Sequence, residues 1–345
     1  MSDKKIYVYG FINTSEEKNL GYVGIEGGEV YTQPYRDISA VVSDSPFTQF
    51  DFLPRETLLL HLAVYQAVIE KVMRNHYIIP MKFGTVAEGK EEVKRILKKG
   101  YNRIKISAMA MGDRIELDAV AMWSNLDAVL KSIGEEEEIK KFKEEAESQS
   151  PDKNIEARIS LGKMVKVSLD GKRKKYASEI LGILRRKSEN YLVHDVMDDS
   201  MIMNTAFLIA KDNQEIFESK VDQLDEKYHD RVNFRIVGPL PPYSFCTFEM
   251  KKTKFSDINK AREMLDLDEV STILEIKGAY WEKGKKFHPD RYPGDVEAQK
   301  RFEDITKAYR LLSSYCNGEQ CSFKEESIRE WIIVRPMEQL GEYAQ

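Results

Sequence analysis

Hydrophobic residues in this chain recur at two periods, and the switches between them outline its elements. Residues 6–12 and 37–43 alternate and are bounded by Gly, Pro, Asn and Ser, the pattern of strands in a sheet. In "YVGIEGGEVY", Gly24, Gly27 and Gly28 fit a hairpin turn; no Lys-Ser/Thr follows, which excludes a Walker phosphate loop. After Pro54 the step becomes three and four. Leu58, Leu62, Tyr65, Ile69 and Val72 form one helical face to about residue 75, opened by the proline. "YIIPMKFGTV" reads as a strand. Val93, Leu97, Ile104, Ala108 and Met111 give a second helix that Gly112 stops. "RIELDAVAMW" alternates again.

"GEEEEIKKFKEEAESQSPDKN" is charged, poor in apolar residues and broken by Pro151, so it predicts an exposed helix and a domain boundary. Beyond it the pattern predicts a long helix over 155–186, with a possible break at Asp170-Gly171. The strands "YLVHDVM" and "NTAFLIA" follow, then a helix over 214–228, the strand "VNFRIVG", a proline-rich turn and the strand "FCTFEM". Short strands under helices in this order predict an α+β domain with a largely antiparallel sheet. From residue 251 the pattern is helical. Thr272 with Glu275 makes a capping box. Ile273, Ile276, Tyr280 and Phe287 share one face of a helix, and Phe302, Ile305, Tyr309 and Leu312 one face of the next. Two such helices predict an antiparallel αα-hairpin with His288, Pro289 and Asp290 at its exposed end. "REWIIVRPME" predicts a strand returning to the second domain's sheet, which would make the hairpin an insertion. The expected organisation is a domain over 1–133, a charged linker over 134–154, a second domain over 155–250, a helical module over 251–318 and a tail over 319–345.

Composition narrows the function. The chain is 42% hydrophobic and 32% charged, with 53 basic and 58 acidic residues and a net charge of −5. These values fit a globular protein and give no general attraction to nucleic acid or to an anionic lipid membrane. The basic runs Lys172-Arg173-Lys174-Lys175 and Arg185-Arg186-Lys187 read as solvated helix faces. The N-terminus lacks a signal-peptide apolar run, and "MIMNTAFLIA" is far short of the roughly 20 residues that span a bilayer. A cytoplasmic location is expected. Cys246, Cys316 and Cys321 are too few for a disulfide framework. Cys316 and Cys321 have the option of pairing or of joining a metal site; with no His nearby, reduced thiols are expected.

Several stretches resemble a known family. "IPMKFGTV" with Phe83, Gly84 and Thr85, "ARISLGKMV", "NTAFLIAK" and above all "GPLPPYSF" with Gly238, Pro239, Pro241, Pro242, Tyr243 and Phe245 are similar to the gas vesicle synthesis proteins of the GvpF/GvpL family. The resemblance covers roughly residues 5–250. It implies two α+β domains, the second a modified ferredoxin-like fold, and an accessory role in building gas vesicles. The implied partners are the hydrophobic shell protein and other gas vesicle accessory proteins, with the chain acting as chaperone or minor wall component. Each proline fixes φ and removes a donor, so the Gly-Pro-Leu-Pro-Pro run should turn the chain rigidly, with Tyr243 and Phe245 packing beneath.

The helical module resembles the J-domain of DnaJ-type co-chaperones, with "REMLDL", "EIKGAYWEKGKKFHPDR" and "EAQKRFEDITKAYRLLS" answering its three helices over about 257–315. The resemblance implies contact with a DnaK-type chaperone through His288, Pro289 and Asp290, with Lys277, Lys285 and Lys286 supplying positive charge. Three features depart from it. Trp281-Glu282 stand where a basic pair is usual, Lys283 occupies an apolar position and must snorkel, and Gly278 and Gly284 weaken the helix by about 0.8–1 kcal/mol each.

The runner-up is a co-chaperone acting on other clients. The remote alternative is a metal-dependent hydrolase built on His194 and Asp195 with Asp198 and Asp199, but metal sites need convergent ligands and no second His stands near. No nucleophile-elbow or dinucleotide motif is present. The reading is therefore a non-enzyme with no cofactor and no metal.

Overall fold

The first alternating segment becomes β1 (Lys5–Ile12), whose residues from Ile6 onward are buried on both faces. This computed structural model describes residues 4–47, 50, 53–147, 151–253, 255–288, 291, 292, 295–316, 320–325 and 331–336. After β1 come β2 (Asn19–Tyr22), β3 (Glu29–Tyr35) and β4 (Ile38–Ser45). The three-glycine stretch turns β2 into β3, as its spacing predicts. Then follow α1 (Arg55–Met73), β5 (Ile78–Pro80), β6 (Val86–Ala87) and α2 (Lys90–Met111). The sheet runs β2-β3-β4-β1-β5, with β6 also on β1, and every pairing is antiparallel.

The alternating strand "RIELDAVAMW" is β7 (Arg114–Trp123). After it come α3 (Leu126–Gly134), α4 (Glu137–Glu147), α5 (Pro151–Leu184), β8 (Asn190–Val193), β9 (Met201–Ala210), α6 (Gln214–Lys227) and β10 (Val232–Leu240). Their sheet is β10-β7-β9-β8 and antiparallel throughout. That is the βαββαβ order of a ferredoxin-like fold, modified by the extra helices α3 and α4. α5 continues through Asp170-Gly171 without a break. A mid-helix glycine costs about 1 kcal/mol, and burial of Leu169, Ile180 and Leu184 outweighs it. β7, expected with the first domain, is a central strand here because its inner residues Leu117, Ala119 and Ala121 are buried in register with β9.

The chain then forms β11 (Phe248–Thr253), α7 (Phe255–Met264), β12 (Val270–Thr272), α8 (Ile273–Phe287), α9 (Val296–Tyr315), β13 (Gln320–Ser322) and β14 (Trp331–Pro336). β14 is a strand, as expected, but its partner is β11 and not the second sheet. β11 stands beside the end of β5 through a parallel bridge between Met81 and Phe248. The chain accordingly divides into two compact units. One joins Met1–Ala110 to Cys246–Met337, and the other is built on Met111–Phe245. The helical module leaves and rejoins the first unit between two strands paired with each other.

Candidate functional site

In the helical module, Thr272 caps α8: its Oγ1 accepts from the Glu275 N–H at 3.2 Å, while its own N–H donates to the Glu275 carboxylate at 2.6 Å. This is the capping box that the spacing predicts. α8 and α9 run antiparallel. Tyr280 stacks on Tyr309 with ring centroids 4.3 Å apart, and a Cβ on Gly284 would meet the Phe302 ring at 3.6 Å. The core beneath holds Ile258, Leu265, Ile276, Ile305 and Leu312.

His288 ends α8 in an extended conformation, as the residue before a proline should. It is exposed, and its ring lies edge-on to Phe302 at 5.3 Å. Pro289 and Asp290 lie outside the described residues. Asp295 restarts the chain as the cap of α9, accepting from the N–H groups of Glu297 and Ala298 at 2.9 and 3.1 Å. Lys277, Lys285 and Lys286 are exposed, the last two in the final turn of α8, where positive charge favours the helix dipole. Lys283 snorkels as its position demands: its ammonium donates to the Met264 carbonyl at 2.7 Å and pairs with Asp266 at 2.5 Å, closing the end of α7. Trp281 is 73% exposed.

The module is tied to its unit by Arg103 of α2. The guanidinium donates to the carbonyls of Ser313 and Ser314 at the end of α9 and of Val334 on β14, each at 3.3 Å. Arg103 carries no motif signal, and its reach across more than 200 positions is invisible in the sequence. Cys316 and Cys321, expected as reduced thiols, are joined in a disulfide. Their Cα atoms lie 5.5 Å apart, a closeness that residue spacing does not encode.

The proline corner lies at the edge of the second sheet. Gly238 and Pro239 still belong to β10, but the register slips between Val237 and Leu240. An edge strand with a bulge is where a sheet tolerates proline. Gly238 has φ +140°, and a Cβ there would meet the Glu116 carbonyl at 2.8 Å and Leu117 at 2.7 Å. The turn itself comes at Pro241 and Pro242, both buried, and is closed by bonds from the Tyr243 and Phe245 N–H groups to their carbonyls. Tyr243 and Phe245 are half-buried.

Two neighbours of the corner were not marked by any motif. Glu116, only 2% exposed, accepts from the Ser244 N–H and hydroxyl, both at 2.8 Å. The Ser244 hydroxyl also lies 3.3 Å from His194 Nε2. Burial, then the adjacent Asp118 carboxyl, push Glu116 up to about 8. Burial raises Asp118 as well. The only signal in the sequence was a pair of acids, two apart, in an otherwise apolar strand.

The residues of the hydrolase alternative are not brought together. His194 faces Ser244, Asp198 accepts from Ser200, and Asp199 pairs with Lys166 and Arg173. Among the described residues, no three His, Cys, Asp or Glu side chains converge as a metal would require. Phe83, Gly84 and Thr85 are also structural in placement. Phe83 packs on Phe50 and Tyr65, the Gly84 N–H donates to the Tyr7 hydroxyl at 2.8 Å, and the Thr85 carbonyl accepts from the Val8 N–H. Gly84 needs its φ of +82° to make that turn.

One unit is ferredoxin-like and edged by the proline corner; the other carries an inserted three-helix module. The crystal structure of gas vesicle protein GvpF from Anabaena sp. superposes with a TM-score of 0.61 at 21% identity, over 70% of this chain and 98% of that one. The GvpF structure from Microcystis aeruginosa gives a TM-score of 0.56 at 19% identity, over the same shares. The sequence model of "Gas vesicle synthesis protein GvpL/GvpF" matches residues 5–247, and the chain belongs to this family. Gas vesicle protein F2 of Halobacterium salinarum is 24% identical over 71% of this chain and 93% of its own length. The DnaJ domain model matches residues 263–317. Over 51 residues, 15% of this chain and 13% of the other, identity to chaperone protein DnaJ of Protochlamydia amoebophila reaches 47%. Together the family and the DnaJ domain support a gas vesicle accessory role.

Proposed function

We propose that this chain is a gas vesicle assembly protein that binds the hydrophobic shell protein and recruits a DnaK-type chaperone to it. An unassembled wall subunit exposes apolar surface at a cost of about 25 cal/mol per Å², so a partner that covers it until assembly opposes aggregation. The observation that carries the reading is an exposed His288 in a J-like module inserted between the paired strands β11 and β14, on a chain whose body belongs to the GvpL/GvpF family. His288, with Pro289 and Asp290 beside it in the sequence, is the chaperone contact; Lys277, Lys285 and Lys286 supply charge along α8. The reading places the protein at gas vesicles in the cytoplasm, with other accessory proteins as further partners, and gives it no reaction of its own.

The test is the ATPase rate of a purified DnaK-type chaperone with and without the full chain. The wild type should raise turnover several-fold, and His288→Gln should abolish the gain with the fold intact by circular dichroism. Equal rates for the two proteins would defeat recruitment. Co-expression with the shell protein should keep the latter in the soluble fraction bound to this chain. Stimulation without such association would leave a co-chaperone for other clients.

A further inference from the structure

Cys316 ends α9 and Cys321 lies in β13. Their Cα atoms are 5.5 Å apart and their sulfurs are bonded, the separation at which disulfides ordinarily form. Both belong to the apolar cluster that holds Ile276, Leu312, Tyr315 and Phe323. The Tyr315 hydroxyl donates to the Ser322 carbonyl across the same junction. On the other side of the ribbon, Cys321 pairs with Ser271 and Gln320 with Thr272, the residue that caps α8. The bond therefore ties the end of α9 to β13, whose partner β12 carries the Thr272 cap of α8.

We propose that Cys316 and Cys321 form a reversible thiol–disulfide site that clamps the β12–β13 ribbon onto the J-like module when oxidised and frees it when reduced. Disulfides do not persist in reducing compartments unless they cycle, and a pair bridging five positions re-forms readily because its thiols stay close. A buried thiol packs as a small apolar group, so the module's core survives reduction and only the cross-link is lost. In the exchange, the thiolate of glutathione or of a protein dithiol attacks one sulfur and displaces the other as a thiolate. A second thiol, from another glutathione or from the same dithiol, then resolves the mixed disulfide. Two electrons and two protons end on Cys316 and Cys321, and the reductant leaves as its own disulfide. Because both sulfurs are buried, exchange requires the ribbon to open, and its rate reports that opening.

The experiment uses the full chain in glutathione mixtures of fixed ratio, followed by acid quenching, denaturation and maleimide labelling read by intact mass. Of the three cysteines in the sequence, the oxidised protein should label one, Cys246, which is free and buried. The reduced protein should label all three. Hydrogen exchange of residues 270–276 should quicken several-fold on reduction, while β7 and β9 keep their rates. Cys316→Ser and Cys321→Ser should show the fast rate in every mixture. Three labels under the most oxidising mixture would overturn the proposal, as would equal exchange of residues 270–276 in both states.

Discussion

The proline corner and the His-Pro-Asp motif stand out equally in the sequence, yet the structure gives the corner and His288 opposite characters. Pro241 and Pro242 are buried, Ser244 is held by two hydrogen bonds to an interior carboxyl, and Gly238 admits no side chain. His288 is exposed, with Lys277, Lys285 and Lys286 exposed along its helix. A rigid motif with interior polar partners holds shape, and what it does for function it does through the sheet. A capped helix ending in an exposed ring presents a surface. Conformational stiffness alone did not separate the two; the partners did.

Gly238→Ala should break the corner most severely. Its φ of +140° is all but restricted to glycine, which costs about 1–3 kcal/mol for another residue, and the added methyl meets a backbone carbonyl and Leu117. A loss of about 3 kcal/mol is expected in denaturant titration, with hydrogen exchange in β7 and β10 accelerated and the helical module unaffected. A loss below about 1 kcal/mol would mean that the corner yields and is no brace.

Glu116→Gln probes the same corner by charge. The folded carboxyl titrates near 8, against about 4.3 in an unfolded chain, so folding takes up a proton between these values. The stability this proton supplies is complete below the unfolded value and is lost as pH rises through the folded one. The wild type should therefore weaken between pH 5 and 8.5, by on the order of 4 kcal/mol at most. The variant keeps the shape but loses one acceptor, about 1 kcal/mol at pH 5. It should show a flatter profile, and near pH 8.5 it should equal or exceed the wild type. A parallel decline in both proteins would place the titration elsewhere.

Arg103→Ala tests how the presenting region is held. Three backbone carbonyls lose a shared cationic donor, Ser313 and Ser314 being half-buried and Val334 buried, so a loss of about 1–2 kcal/mol is expected. The distinguishing readout is local: exchange should rise at the end of α9 and in β14 and stay unchanged in β7–β10. An unchanged module would mean that β11–β14 pairing suffices to hold it.

What was legible in the sequence follows from how local each cause is. The capping box at Thr272, the two helical faces and the glycine turn before β3 depend on residues within a few positions of one another, and each formed as its spacing predicts. The snorkelling of Lys283 was equally readable, since a cation at an apolar helix position has one way out. The partner of β14 was not readable. An apolar strand of six residues pairs with any free edge, and only the path of the whole chain placed it against β11. β7 is a similar case: its alternation fits either sheet, and its register with β9 and β10 decided the matter. At the corner, the prolines were visible but the Glu116 that holds Ser244 was not, because they lie 128 positions apart.

Lys283→Leu is the smallest effect and the sharpest test of whether the module tolerates its departures from the J-like pattern. The Lys283 side chain reaches from α8 to the end of α7 and is 25% exposed. Leucine would keep the apolar part of that path and gain a little buried surface, while removing one donor from the Met264 carbonyl and one partner from Asp266. The carbonyl ends a helix near solvent, where water replaces the ammonium, and an exposed ion pair is worth about 0–1 kcal/mol. Gain and loss nearly cancel, so stability should move by less than about 1 kcal/mol. If the proposed chaperone stimulation holds, it should also stay near that of the wild type, because the residue faces α7 and not the exposed side that holds Trp281 and Lys285. A large loss of stability would show the ammonium to be a needed clamp on the end of α7. A loss of stimulation in a stable variant would show that the contact surface of α8 extends around to its inner edge.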